Sequence, residues 1–373
     1  MRLRSIPVIR IALFICISSA SGLLAQPVAT PPPATPLSGL DISMQWFLGY
    51  VAGTDKQSAK DEFLLKRGYV DIRKKIDDTF SGKITTDITV DKEGDGKGDV
   101  EVRLKYLYLK MNLESMALFH KPYLEFGMVH TPWIDFEQSI NRYRVQGTMF
   151  MERANVVGSA DYGIVLMSML GGEMDEEYQR TVQSSNAGRW GSFSVGIFNG
   201  GGYHALEENA NKTVQGRLSL RPVPDYVPGF QVSVHGASGR GNTESAPDWH
   251  YLSGFLSWES AWLTLTAEQF SGKGTYGGEV VETGRPKDAV PMIGYSVFGD
   301  VKLWETGLSV FGRHDHVEKS GTLVNEESNR MITGLAWTFK KGSKMILDVD
   351  LLNHSKGAAK ESRLAELVIE LRY

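Results

Sequence analysis

The sequence predicts an all-β chain, a transmembrane antiparallel β-barrel of about 16 strands with short turns at one end and long loops at the other. Three observations carry this. Apolar and polar residues alternate with a period of two along nearly all of the chain after residue 39. The links between alternating segments are short and long by turns. The last nine residues, Ala365 to Tyr373, form an amphipathic strand: Ala365, Leu367, Ile369, Leu371 and Tyr373 on one face, Glu366, Val368, Glu370 and Arg372 on the other.

The chain starts with a basic stretch (Arg2, Arg4, Arg10), a short apolar run from Ile11 to Ile17 and small residues from Ser18 to Ala25. This pattern reads as a secretory signal over residues 1–25, with an earlier cut near Ala20 still open; the apolar run is too short to span a bilayer. The single cysteine, Cys16, lies within it and follows Ile15 rather than a small residue, which argues against lipidation. Without residues 1–25 the chain has no cysteine for a disulfide or thiolate metal site. It also loses three arginines, moving the formal charge from −4 to −7. That balance makes nucleic acid a poor partner. No later run approaches the ~18 apolar residues of a membrane helix, so entry into a membrane requires a closed barrel.

Residues 26–39 are proline-rich, too stiff and too poor in large apolar groups for a core element, and read as a periplasmic spacer or as a tail without a role. The barrel is expected over 40–373. Leu40, Ile42, Met44, Trp46, Leu48 and Tyr50 alternate with Asp41, Ser43, Gln45, Phe47 and Gly49. Further strands are expected near 62–76, 80–90, 100–113, 122–131, 162–171, 190–198, 213–221, 229–240, 249–258, 261–271, 293–301, 306–316, 330–340, 343–354 and 362–373. Links at 77–79, 259–260, 302–305 and 341–342 are tight; those at 53–61, 91–99, 132–161, 199–212, 241–248, 272–292, 317–329 and 355–361 are long and polar. The link 172–189 breaks the pattern, being long where a short turn is expected. Trp46, Tyr50, Phe80, Tyr106, Tyr108, Trp190, Trp258, Trp262, Trp337, Phe339 and Tyr373 lie near strand ends, as aromatic girdles at a lipid–water boundary would.

Several segments resemble, in order, those of the phosphate-selective porin O and P family of bacterial outer-membrane porins. They are Leu124 to Trp133, Phe150-Met151-Glu152-Arg153, Asp161-Tyr162-Gly163-Ile164, Ser194 to Gly201, Gly216 to Pro222 and Gly334 to Phe339. The resemblance implies a 16-stranded trimeric porin in the outer membrane. Its third external loop would fold inward, and passive diffusion of small hydrophilic solutes or anions such as phosphate would be its function. The terminal aromatic resembles the signal read by the barrel-assembly machinery.

On this reading the candidate constriction is 132–161, carrying Arg142, Arg144 and Arg153 against Asp135, Glu137 and Glu152. Alternation puts Arg67, Arg73, Arg103, Lys105, Arg217, Arg221 and Arg313 on the wet, pore-lining face, together with Asp87, Glu101, Asp348, Asp350, Glu366 and Glu370. So mixed a wall points to weak selectivity rather than phosphate specificity. Asp91 to Asp99 resembles the start of an EF-hand, but Val102 stands where the bidentate acid belongs, so a solvated loop is expected. His314 and His316 share a strand face without a third ligand, so no metal is expected there. No cofactor is expected. The rival readings are an outer-membrane barrel enzyme and a secreted soluble β-sheet binding protein. For the enzyme, Ser238 and His354-Ser355 supply no evident triad.

Overall fold

The computed structural model describes residues 38–92, 96–356 and 361–373. The expected signal (1–25) and nearly all of the proline-rich leader lie outside the described residues. The strands are β1 (Leu40–Asp55), β2 (Ser58–Lys75), β3 (Phe80–Val90), β4 (Val100–Asn112), β5 (Phe119–His130), β6 (Ala160–Leu170), β7 (Gly191–Phe198), β8 (Thr213–Leu220), β9 (Phe230–Arg240), β10 (Asp248–Glu259), β11 (Leu263–Lys273), β12 (Val281–Glu282), β13 (Arg285–Ala289), β14 (Pro291–Leu303), β15 (Leu308–Ser320), β16 (Asn325–Thr338), β17 (Lys344–Lys356) and β18 (Ser362–Arg372). All but β12 and β13 close into one antiparallel barrel in chain order; those two make a small sheet inside the β11–β14 link. The last strand seals the first, from Gln45 opposite Arg372 to Asp55 opposite Ser362. Closure leaves no free edge, which is what a sheet in hydrocarbon requires. No described helix is long and apolar enough to cross a membrane.

Each of the 16 expected segments becomes a barrel strand. Some run further than their hydrophobic stretch. β1 and β2 stay paired to Asp55 and Ser58, reducing the expected link 53–61 to Lys56 and Gln57. Both have positive φ (49° and 70°), as a two-residue hairpin turn that follows the strand twist demands. β15 and β16 likewise pair to Ser320 and Asn325. The tight turn at 304–307 ends on Gly307 at φ 74°, where a Cβ would collide with the Thr338 carbonyl oxygen.

The outward face is apolar and exposed all round: Ile42, Met44 and Leu48 on β1, Leu252, Leu256 and Trp258 on β10, Leu347 and Val349 on β17, Leu367 on β18. Such a belt on a closed sheet suits lipid, not water. At the end where β1 begins and β18 finishes, Trp190, Trp258, Trp262, Trp337 and Tyr373 stand exposed, and Trp258 and Trp262 pack edge to face with centroids 6.3 Å apart. Tyr106 and Tyr108 do not join this girdle. They turn inward, opposite Thr85 and Lys83.

Of the barrel's four register shifts among the described residues, those on β2 and β4 explain where the period of two slips on the basic wall. Phe47 pairs with Arg67 and Leu48 with Leu65, leaving Lys66 extra. Thr85 pairs with Tyr106 and Thr86 with Leu104, leaving Lys105 extra. A bulge resets the face of everything after it and bends the strand. Here each one lets adjacent residues, Lys66–Arg67 and Lys105–Tyr106, both turn into the barrel.

Candidate functional site

The β5–β6 link contains α1 (Ile134–Ile140) and α2 (Phe150–Arg153). Its apolar residues Trp133, Ile134, Phe136, Ile140, Met149, Phe150, Met151, Val156 and Val157 are fully buried against Ala237, Trp249, Tyr251, Phe255, Phe270 and Met292. Those six lie on β9, β10, β11 and β14 at inward positions. The link therefore lies inside the barrel against that wall. Trp133 stacks on His235 at 3.6 Å and 5°, with Phe255 edge-on at 5.0 Å.

A loop inside a barrel brings carbonyls that no ladder satisfies. Four wall donors take them up. Arg217 Nε donates to Pro132 O (3.0 Å), Lys66 Nζ to Gln146 O (2.7 Å), Arg313 Nη1 to Thr148 O (3.1 Å) and Trp249 Nε1 to Val156 O (2.9 Å). Tyr143 adds a bond from its hydroxyl to Asp300 (2.8 Å). Arg217 and Arg313 thus point inward, as alternation requires; the loop covers Arg313, while Arg217, though tied to the loop, still borders a cavity. Arg313 is also paired with Asp315 at 2.7 Å. Arg221 is covered as well: it donates to the Tyr178 hydroxyl (2.8 Å), Gly188 O (3.3 Å) and Pro228 O.

The six charged loop residues divide. Arg144 pairs with Glu152 at 3.4 Å, and Arg153 lies 3.9 Å from Asp315 and bonds Gln146 at 3.1 Å. Burial and the neighbouring Arg313 and Arg330 push the Arg153 guanidinium down, while Asp315 and Asp350 hold it charged. Glu137, on the buried face of α1, has one carboxylate oxygen unpaired. Burial pushes it up to about 7, opposed by Arg313. Arg142 and Asp135 are exposed. Arg142 donates to Val182 O, and Asp135 borders the open space beside Lys83 and His130. Arg142, Arg144 and Asp135 face that space; Glu137 and Arg153 anchor the loop.

The open space lies against β2–β5 and, toward the end where β1 begins, also reaches Asp300 and Lys302 on β14, Ser309 on β15 and Lys344 on β17. One cavity of about 1010 Å³ is bordered by Tyr69, Arg73, Lys83, Lys105, Tyr106 and Asp135 among others, and an adjoining one of about 610 Å³ by Lys110, Tyr123, Glu125 and Arg217. Asp87, fully buried, gathers Arg67, Arg103 (3.0 Å) and the Tyr203 hydroxyl (2.9 Å). Arg73 and Lys83 share Asp71 at 3.5 and 3.6 Å. Lys105 and Lys110 have no carboxylate partner among the described residues. Lys105 lies over the rings of Tyr69 (5.1 Å) and Tyr106 (5.4 Å), Lys110 over Tyr123 (3.5 Å). Lys66, Lys83 and Lys110 are additions to the expected wall. For Lys83 and Lys110 alternation alone supplies the signal; for Lys66 only the bulge does.

The other constellations do not converge. The EF-hand resemblance includes residues 93–95, outside the described residues. His314 and His316 face outward beside Tyr295 (5.7 and 5.0 Å between centroids), and no metal-holding cluster occurs among the described residues. Ser238 and His354 sit on β9 and β17, which are not neighbours.

Solved outer-membrane barrels share this architecture. The OmpT outer membrane protein of Vibrio cholerae, in its loop L8 deletion form, superimposes with TM-score 0.59 at 11% identity, over 90% of this chain and 99% of that one. OmpF of Salmonella typhi, in complex with daunomycin, gives 0.58 at 13%, over 90% and 97%. The anion-selective porin from Comamonas acidovorans gives 0.58 at 10%, over 90% and 100%. No family model and no curated protein matches the chain. At these identities the likeness is one of fold.

Proposed function

We propose that this chain is an outer-membrane porin, a water-filled channel for passive diffusion of small hydrophilic solutes and ions, with the loop 132–161 as its constriction. The observation that carries the reading is the division of the barrel interior: one side packed against the loop, the other left open and bordered by Arg73, Lys83, Lys105 and Lys110, with Arg67 and Arg103 turned inward onto Asp87. Across the gap the loop presents Asp135 with Arg142 and Arg144. Opposed charges over a narrow lumen orient dipolar solutes and reject apolar ones.

The preference is weakly anionic. Four of the six wall cations share Asp71 and Asp87, so their charge is largely spent on protein carboxylates. Lys105 and Lys110 supply the surplus. Phosphate specificity would need several unpaired cations converging to replace lost hydration; two spaced lysines favour small anions in general. The kinship with the phosphate-selective family rests on the sequence segments alone. A homotrimer fits one fold relative, the Vibrio cholerae OmpT protein, which occurs in a trimer form. Residues 1–25 serve export, and the barrel-assembly machinery and membrane lipid are the remaining partners.

Single-channel recording in a KCl gradient tests the reading. A conducting channel whose reversal potential is modestly anion-selective is the expected result. Absence of conductance, or impermeable liposomes in a swelling assay, would refute it.

A further inference from the structure

The link 171–190 contradicts its surroundings. It joins β6 to β7 at the end that otherwise carries tight turns such as 260–262 and 304–307. It contains α3 (Glu176–Thr181), whose first turn is capped by the Asp175 side chain accepting from Tyr178 N at 2.7 Å. Tyr178 is buried and held by Arg221, which also grips Gly188 O. A turn so anchored does not trail into solvent.

Where it points is decided by two contacts with α1 and its C-terminal end. Gln183, almost wholly buried, donates from Nε2 to Ser139 Oγ at 3.1 Å. Arg142 donates to Val182 O. The side of the link that remains open, Gln179, Arg180, Thr181, Ser184 and Ser185, borders the 1010 Å³ cavity together with Arg142 and Lys302. The cavity is bounded by the loop 132–161 and by this turn at once.

We propose that residues 171–190 form a second specificity-determining element of the conduit, in series with the loop 132–161 and bracing it from the end where β1 begins and β18 finishes. The inference rests on the channel reading. Its chemistry differs from that of the basic wall. Apart from Arg180, which is paired with Glu177, the open side is amide and hydroxyl (Gln179, Thr181, Ser184, Ser185), a rim that exchanges hydrogen bonds with neutral hydroxylated solutes and sorts them by size. The first filter reads charge; the second reads bulk and hydrogen-bonding capacity.

The test uses planar bilayers and graded polyethylene glycols added to one side at a time. Replacing 175–185 by a three-residue Gly-Ser-Gly link is expected to raise conductance at least about 1.5-fold. It should also admit larger polymers from the terminal end. In the converse direction, Thr181→Trp with Ser184→Trp is expected to lower conductance and the polymer cut-off from that end, with the reversal potential nearly unchanged. If the shortened variant inserts as a folded, heat-modifiable barrel yet keeps the parent's conductance and cut-off, the proposal is overturned. If it fails to fold, the double-tryptophan variant decides, and unchanged conductance there overturns it equally. A parent chain that conducts nothing would instead sink the channel reading.

Discussion

The two halves of the barrel interior follow the same alternation and end with opposite character. On β9–β11 and β14 the inward positions include Ala237, Trp249, Tyr251, Phe255, Phe270 and Met292, dry under the loop, with His235, Ser253 and Glu268 buried among them. On β2–β4 they include Arg67 and Arg103, gathered on Asp87, and Tyr69, Arg73, Lys83 and Lys110, which border open space. Inward does not therefore mean wet. What an inward residue meets depends on whether another part of the chain covers it, and the covered wall carries an apolar patch because it must bury the loop's own apolar face. Arg217 and Arg313 act as fasteners, committing donors to loop carbonyls, although Arg217 also borders the smaller cavity.

Breaking the dry half should have the largest effect. Trp133→Ala removes a ring stacked on His235 and met edge-on by Phe255, at a cost of about 3–5 kcal/mol to loop docking. Conductance and size cut-off should rise together in bilayer recordings, and preserved conductance would mean the loop does not limit flow. Next comes the wet half. Lys105→Glu places a carboxylate beside Tyr69 and Tyr106, and the reversal potential in a KCl gradient should move toward or past cation selectivity. An unmoved potential would remove Lys105 from the conduit.

The seam between the halves gives a smaller, pH-dependent effect. Glu137, pushed up from 4.5 to about 7 by burial, keeps a proton when docked that it releases in water. Loop docking is thus firmest below about pH 4.5, weakens as pH rises to about 7, and is level above that. Arg313, Asp315, Glu152 and Glu268 are the charged groups around it. Open-channel noise should rise across that window, and Glu137→Gln should flatten the dependence; a parallel profile in the variant would exclude Glu137 as its source. The smallest effect belongs to Arg73→Ala. Its guanidinium is 55% exposed and its pairing with Asp71 is solvated, worth less than about 1 kcal/mol. Only a slight drop in anion preference is expected, measured in the same gradient.

Much of the fold is legible in the sequence because its signal is local. Sixteen segments each carry their own two-residue period, and each is a strand. The closing of β18 on β1 can be read from the amphipathic stretch ending at Tyr373. The site is legible only in outline. Parity finds Arg67, Arg73, Arg103 and Lys105, but it treats Arg217, Arg221 and Arg313 alike, since nothing local reveals that a turn or loop lies on Arg221 and Arg313 while Arg217, tied to the loop, still borders a cavity. Lys66 and the inward turn of Tyr106 and Tyr108 are hidden for another reason: a bulge leaves no residue signature of its own here, as neither Lys66 nor Lys105 has a glycine beside it. α3 escapes because one and a half helical turns are too short for a 3.6-residue period to emerge.

Those bulges also behave like frame markers. In a strand whose faces are set by parity, loss of one residue turns everything beyond it inside out, putting charges in lipid and leucines in water. Lys66 and Lys105 are exceptions, because each is the surplus member of a pair count. Removing Lys66 leaves Leu64 inward, Leu65 outward and Arg67 inward, with both flanks still in phase. A single-residue deletion scan along β2 and β4 should therefore find two isolated tolerated positions in otherwise intolerant strands. Length variation in barrels of this kind has a natural place to enter the membrane-spanning part without passing through a broken intermediate.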